Sequence, residues 1–266
     1  MTEYIALCDQ LGRRVTVHDT RDWSTPVWEW SCEDPLFRNV AGVKLRRHPV
    51  YGPVMLTCAS DGYVAMVSYP EGKLLWETHA KGNLHSVELL PDGRIALAAS
   101  TGSYLRLYSP NDTTADIDFP DAHGALYDPQ RNTLWVLGST FLREYDPDTL
   151  QVAGNQLDFS SIDAAGHDLA PYYGDTNRLW ITTQQGIQVY DKEQNAFVPD
   201  AFIPLPHTKG VGNTPYSHTV FYLRPNGVHL PWCTDRIRCR DHRGEQEIPL
   251  PGMAVYKLRV FCEAYQ

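Results

Sequence analysis

No apolar run in this chain of 266 residues approaches the length of about 18 that a membrane-spanning helix needs. The first residues, MTEYIALCDQLGRR, also lack the basic stretch followed by an apolar one that marks a secretory leader. Cysteine is sparse: six residues, at 8, 32, 58, 233, 239 and 262, with no CxxC or other metal-type spacing. Free thiols are the expectation, and with them a reducing, cytoplasmic setting. Positive charge is short as well. Twenty-three Lys and Arg stand against 32 Asp and Glu, a net charge of −9, which argues against nucleic acid or an anionic membrane as the main partner. No nucleophile motif, phosphate loop or zinc-finger spacing is present.

What the chain has instead is a repeat. The same hairpin is written as YIALCDQLGRRVTVHD from Tyr4, VMLTCASDGYVAMVSY from Val54, RIALAASTGSYLRLYS from Arg94 and LWVLGSTFLREYD from Leu134. It returns as LWITTQQGIQVYD from Leu179 and VHLPWCTDRIRCRD from Val228. Alternating apolar runs on either side of a short polar turn are hairpin strands, and starts spaced by roughly 40 to 50 residues are the period of propeller blades. A further strand precedes most hairpins: VKLRRHP at Val43, HSVELLP at His85, HGALYDP at His123, HDLAPYY at His167 and HTVFYLRP at His218. These read as the innermost strand A, and PVWEW (26–30) and KLLWE (73–77) as outermost strands D. The hairpin at Tyr4 has no strand A before it, and the strand within 254–262 supplies one. The expected fold is thus all-β: residues 1–266 as a single six-bladed β-propeller of four-stranded antiparallel blades, its N- and C-terminal strands sharing one blade. Two stretches, 158–165 and 204–217, fall outside the repeat on the face where propellers carry ligand loops.

Four of the ten histidines, His85, His123, His167 and His218, open strand A in consecutive blades. Inner-strand starts surround the central channel, so four imidazoles are expected to face one axial region, where they would make a site for a divalent metal (manganese or zinc) or for proton transfer. The competing reading gives each histidine a hydrogen bond within its own blade, as in WD-repeat propellers. The partners of that arrangement are missing, since no strand C ends in Trp and the B–C turns after His85, His123 and His167 lack Asp. In the other two blades Lys44/Arg46 and Lys257/Arg259 take the corresponding place. They would bind a carboxylate or phosphate, or else pair structurally with Glu88, Asp128 or Asp168; the sequence leaves both open. Tyr172, Tyr173 and Tyr216 are candidate acid/base or stacking groups, whereas Trp28, Trp76, Trp135 and Trp180 read as blade packing.

Through NLHSVELLPDG (83–93), AHGALYDP (122–129) and GHDLAPYY (166–173), the chain resembles a bacterial family of single-domain six-bladed propellers with no established activity. At the level of architecture it is also similar to oligogalacturonate lyases, seven-bladed propellers with an axial manganese held by histidines from several blades. That resemblance implies a metal-dependent lyase acting on an acidic, uronate-type carbohydrate. His85, His123, His167 and His218 would hold the metal, Lys44, Arg46, Lys257 and Arg259 the carboxylate, and Tyr216 or Lys44 would move the proton. The alternative is a propeller that binds a ligand or protein without chemistry. Six-bladed lactonases fit less well, because their calcium sites use Glu, Asn and Asp.

Overall fold

The last strand of the chain completes the first sheet. In this computed structural model, which describes residues 2–110, 114–162, 165–198 and 205–265, strands β1 (Tyr4–Asp9), β2 (Arg14–Asp19) and β3 (Trp28–Trp30) form an antiparallel run, and β24 (Val255–Val260) takes its inner edge. Ile5 faces Val260 and Leu7 faces Leu258, so the hydrogen-bond ladder that joins the two ends is buried at the axis. Asp163, Ala164 and Pro204, parts of the two stretches outside the repeat, lie outside the described residues.

Five further four-stranded sheets follow in chain order. Blade I is β4 (Val40–His48), β5 (Gly52–Ala59), β6 (Tyr63–Ser68) and β7 (Leu74–His79). Blade II is β8 (Leu84–Leu89), β9 (Ile95–Ala99), β10 (Tyr104–Tyr108) and β11 (Thr114–Asp118). Blade III is β12 (Gly124–Asp128), β13 (Thr133–Leu137), β14 (Phe141–Tyr145) and β15 (Val152–Asp158). Blade IV is β16 (Gly166–Pro171), β17 (Arg178–Thr183), β18 (Gly186–Asp191) and β19 (Ala196–Phe197). Blade V is β20 (Gly210–Asn213), β21 (Val220–Leu223), β22 (Arg236–Asp241) and β23 (Gly244–Pro249), and the closing sheet is blade VI. Inner strands touch in the cycle β4, β8, β12, β16, β20, β24 and back to β4, which closes the ring.

Burial falls from axis to rim for a simple reason. Every residue of inner strands β8 and β12 is buried between two neighbouring blades and the channel, whereas outer strands such as β11 and β23 are largely exposed. The outer edges carry charge, with Arg106 on Asp116 and Arg236 and Arg238 on Glu247. Charged edges discourage pairing with another chain. Trp135 is fully buried with its Nε1 on Asp128, and Trp180 donates to Asn213, both as blade packing. All six cysteines are free, and Cys8 and Cys58 sit at equivalent places in β1 and β5. Among the described residues no helix is long and apolar enough to cross a membrane.

Blade V departs from the sequence reading. HTVFYLRP is not strand A: Val220–Leu223 is the second strand, and it pairs with β22 across a long connection at 224–235 that holds Cys233. Strand A is GVGN at 210–213, inside the stretch set apart as a loop. Its two glycines hide the apolar alternation, and the packing explains them. A Cβ on Gly210 would stand 3.1 Å from the Leu258 backbone nitrogen, and one on Gly212 would stand 3.2 Å from a Val260 methyl.

Candidate axial pocket

Each inner strand begins with the same local distortion. Ala41, His85 and His167 are the extra residues of β-bulges, flanked by Val40/Gly42, Leu84/Ser86 and Gly166/Asp168. Tyr256 lies in the irregularity where β24 meets β1. His123 and Lys209 immediately precede Gly124 and Gly210, and their N–H groups donate to the carbonyls of Leu137 and Leu223, the residues those glycines face. A bulge lets two successive residues oppose one, which re-aims a side chain out of the sheet. The ring position is therefore Ala41, His85, His123, His167, Lys209 and Tyr256. Two residues before it, Asn39, Asn83, Asp121 and His207 adopt left-handed backbone (φ 52°, 57°, 53° and 64°), a conformation that Asn and Asp tolerate best.

Three of the predicted histidines meet. The rings of His85 and His123 stack with centroids 4.4 Å apart and 22° between planes, and His167 stands edge-on to His123 at 5.3 Å. They line a pocket of about 420 Å³ with Tyr256, Asn39, Asn83, Asp61 and, at the rim, Trp232. The indole of Trp232 is 43% exposed and is fixed by a 2.8 Å hydrogen bond from Nε1 to Gln10 Oε1.

His218 and Tyr216 are not there. Both lie in the exposed turn between β20 and β21, where His218 has φ 55° and Tyr216 is 59% exposed. Inner strands start at the pocket, so that turn lies at the opposite end of the blade. It is tied down by Glu3, whose carboxylate accepts from the Tyr216 and Ser217 N–H groups. The error follows from the blade V register. Lys209, missed in the sequence, occupies the position assigned to His218; the signal was Lys209-Gly210 repeating His123-Gly124.

The four cations of the terminal and first blades are in the channel wall. Their equivalence is off by two residues: Val40 pairs with Ala59 where Val255 pairs with Asp9, so Lys44 matches Arg259. Glu88 accepts from Lys44 Nζ (2.9 Å) and from Arg46 Nε and Nη2 (2.7 and 2.9 Å). Asp168 accepts from Arg259 Nη1 and Nη2 (2.6 and 2.5 Å), with Lys257 Nζ 3.4 Å away. Lys44 also donates to the Ala125 carbonyl at 2.5 Å, so this candidate proton carrier is buried in the wall rather than set at the pocket. The cavity beside Lys44, Arg46 and Arg259 is only about 10 Å³, room for about one water. Beyond it Tyr265 lies over Arg46 at 4.5 Å and donates to Leu89 O, and Tyr173 donates to Ala264 O. Tyr172 stacks on Trp180.

Electrostatics at the pocket follow from this packing. Lys257 Nζ reaches across to donate to the carbonyls of His85 and His167 (3.3 and 3.0 Å), which puts an ammonium behind the imidazoles. Lys209 Nζ donates to His167 Nε2 at 2.8 Å. Burial, reinforced by Lys209, His123 and Lys257, pushes the His167 pKa down to about 2. Burial and the neighbouring cations and imidazoles also hold His85 well below the ordinary value, and burial lowers His123 against the opposing pull of Asp121. Burial and Lys257 bring Lys209 down to about 8. At neutral pH the pocket is lined by neutral imidazoles backed by ammonium groups.

These donors do not fit a divalent metal. Stacked rings hold their nitrogens side by side rather than converging on one point, and His167 Nε2 is occupied by Lys209. Among the described residues no group of three or more His, Cys, Asp or Glu is placed to hold an ion. His123 Nδ1 faces the Asp121 carbonyl at 2.9 Å and His85 Nδ1 faces the Tyr256 hydroxyl at 3.3 Å. Among the described residues the Nε2 atoms of His85 and His123 make no hydrogen bond.

The chain belongs to a family of unknown function (DUF6528), whose profile matches residues 4–264. No curated protein matches. A protein of unknown function from Bacteroides caccae is similar in structure over 98% of this chain and 99% of its own, with a TM-score of 0.66 and 13% identity. Virginiamycin B lyase from Staphylococcus aureus matches over 80% of this chain and 70% of its own, with a TM-score of 0.57 and 12% identity. The dihydro-heme d1 dehydrogenase NirN matches 93% of this chain with a TM-score of 0.53 and 18% identity, and the chain spans about half (53%) of its length. At these identities the likeness is one of fold.

Proposed function

We propose that this family member uses the axial pocket to recognise a small acidic carbohydrate. The observation that carries the reading is the charge balance of the channel behind the pocket. Four buried cations face two carboxylates in the channel, and Lys209 adds a further cation against His167, on a chain whose net charge is −9. Uncompensated buried positive charge is costly, and an anion seated beside it relieves that cost. The pocket volume suits a small ligand. Trp232 supplies an aromatic face for the C–H side of a sugar, and Asn39, Asn83 and Asp61 supply partners for hydroxyls.

The metal-assisted elimination implied by the resemblance to uronate lyases lacks its parts. The imidazoles do not converge, and Tyr216 is on the other face. Recognition is the function the geometry supports. Titration calorimetry of galacturonate and glucuronate against galactose and glucose tests it. The uronates should bind at least about tenfold more tightly, and Lys209→Met should remove most of that preference. Because an anion favours the protonated amine, uronate affinity should be full below about pH 8 and fall as the pH rises through the Lys209 pKa. Equal affinity for acidic and neutral sugars would refute the reading. A rise in ultraviolet absorbance from an unsaturated product would restore the elimination.

A further inference from the structure

The axial pocket does not end at its rim. Asp61, in the β5–β6 turn, also lines a second cavity of about 580 Å³ that runs outward between blades I and II, with Leu36, His79, Ala80, Lys81, Tyr104 and Arg106. Both cavities lie on the same face, because the B–C turns and the connections into each strand A gather there. Asp61 stands between them without being a bare negative gate, since Arg38 (3.0 Å) and the Asn39 amide (2.9 Å) hold its carboxylate.

The groove has two kinds of surface. Leu36, Ala80 and the ring of Tyr104 are apolar, while Lys81 and Arg106 are cationic. Tyr104 is rigidly presented: its hydroxyl donates to the Lys81 carbonyl at 2.6 Å, and the Arg106 guanidinium lies 4.8 Å from its ring centroid. Arg106 is itself clamped by two bonds to Asp116. The Tyr104 ring, with Arg106 over one face, and the nearby Lys81 ammonium offer an aromatic edge and a cation to a sugar ring bearing a carboxylate.

We infer that the pocket and the groove form one extended binding cleft, and that its ligand is an acidic oligosaccharide whose terminal unit enters the axial pocket while later units lie along Tyr104 and Lys81. The inference rests on the proposed recognition of acidic carbohydrate and deepens it by naming an oligomer and the path its units follow.

The test compares galacturonate with its dimer, trimer and tetramer by titration calorimetry, on wild type, Tyr104→Leu and Lys81→Ala, each checked for an unchanged circular dichroism spectrum. Affinity should rise by about tenfold or more (about 1.4 kcal/mol) between monomer and trimer. Both variants should cut the oligomer's advantage and leave monomer affinity as it is. Monomer and tetramer binding equally well would overturn the extended cleft alone. So would a gain with length that neither variant reduces, because the added units would then run elsewhere. No binding of monomer or oligomer would overturn the acidic-carbohydrate reading and the cleft with it.

Discussion

Replacing Glu88 with glutamine tests the buried charge arrangement on which the site depends. The Glu88 carboxylate is fully buried and accepts four hydrogen bonds: one from Lys44, two from Arg46 and one from the Leu89 N–H. Glutamine keeps the shape but removes the charge and turns an NH₂ toward a guanidinium, leaving two buried cations without a counter-charge. Breaking a buried ion pair in this way costs about 3–5 kcal/mol, more than half of a stability at the low end of the usual range of about 5–15 kcal/mol. At about 2–4 °C per kcal/mol the melting temperature should fall by about 6–20 °C. Lys44→Met should behave differently. Burial, aided by Arg46 and Arg259 and opposed by Glu88, already pushes the Lys44 pKa down to about 8, so its charge sits uneasily there. Its loss should cost less than about 1.5 kcal/mol, and in the Glu88→Gln background it should recover at least about 1 kcal/mol. Urea unfolding followed by tryptophan fluorescence at pH 7, together with thermal melts, gives all three values. A Glu88→Gln cost below about 1 kcal/mol, or a double variant no more stable than the single one, would refute the reasoning.

Two further perturbations act elsewhere in the channel. His85, His123 and His167 have folded pKa values below the ordinary 6.5, so their contribution to stability is complete above that pH and is lost as the pH falls below it. Between pH 6.5 and about 5, before carboxylates with ordinary values of 4.5 and 3.8 titrate, the melting temperature should decline, and His123→Asn should flatten the slope; a flat wild-type profile would count against neutral buried imidazoles. Tyr265→Ala removes the ring over Arg46 and the hydroxyl on Leu89 O, and should cost about 2–3 kcal/mol from a desolvated cation–π contact plus one hydrogen bond, read in the same urea experiment.

The residues that the sequence exposed most clearly are those whose periodicity coincides with burial. Five of the six hairpins, four of the five preceding inner strands and the shared closing blade all stand where alternation put them, because apolar side chains packed between blades must recur every second residue. His85, His123 and His167 were legible as a ring for the same reason, each opening an inner strand. Blade V was not, since GVGN carries a single large apolar residue, and its glycines answer to close contacts with Leu258 and Val260 that no local pattern records. The repeated Lys-Leu-Arg misled in a similar way, matching letters two residues out of register.

The sequence by itself determined a β-propeller of six blades and the joining of the chain ends in one sheet, which follow from period and connectivity; of the four histidines it placed at one mouth of the channel, three gather there and His218 does not. Only the tertiary structure decided how those histidines are placed relative to one another and to the cations. Bulge geometry stacks two imidazoles instead of converging them, brings Lys209 onto His167 from 42 residues away, and commits Lys44, Arg46, Lys257 and Arg259 to Glu88 and Asp168 across the channel. Those interactions depend on angles between neighbouring blades and on distances across the axis, which are properties of the closed ring and of no single strand.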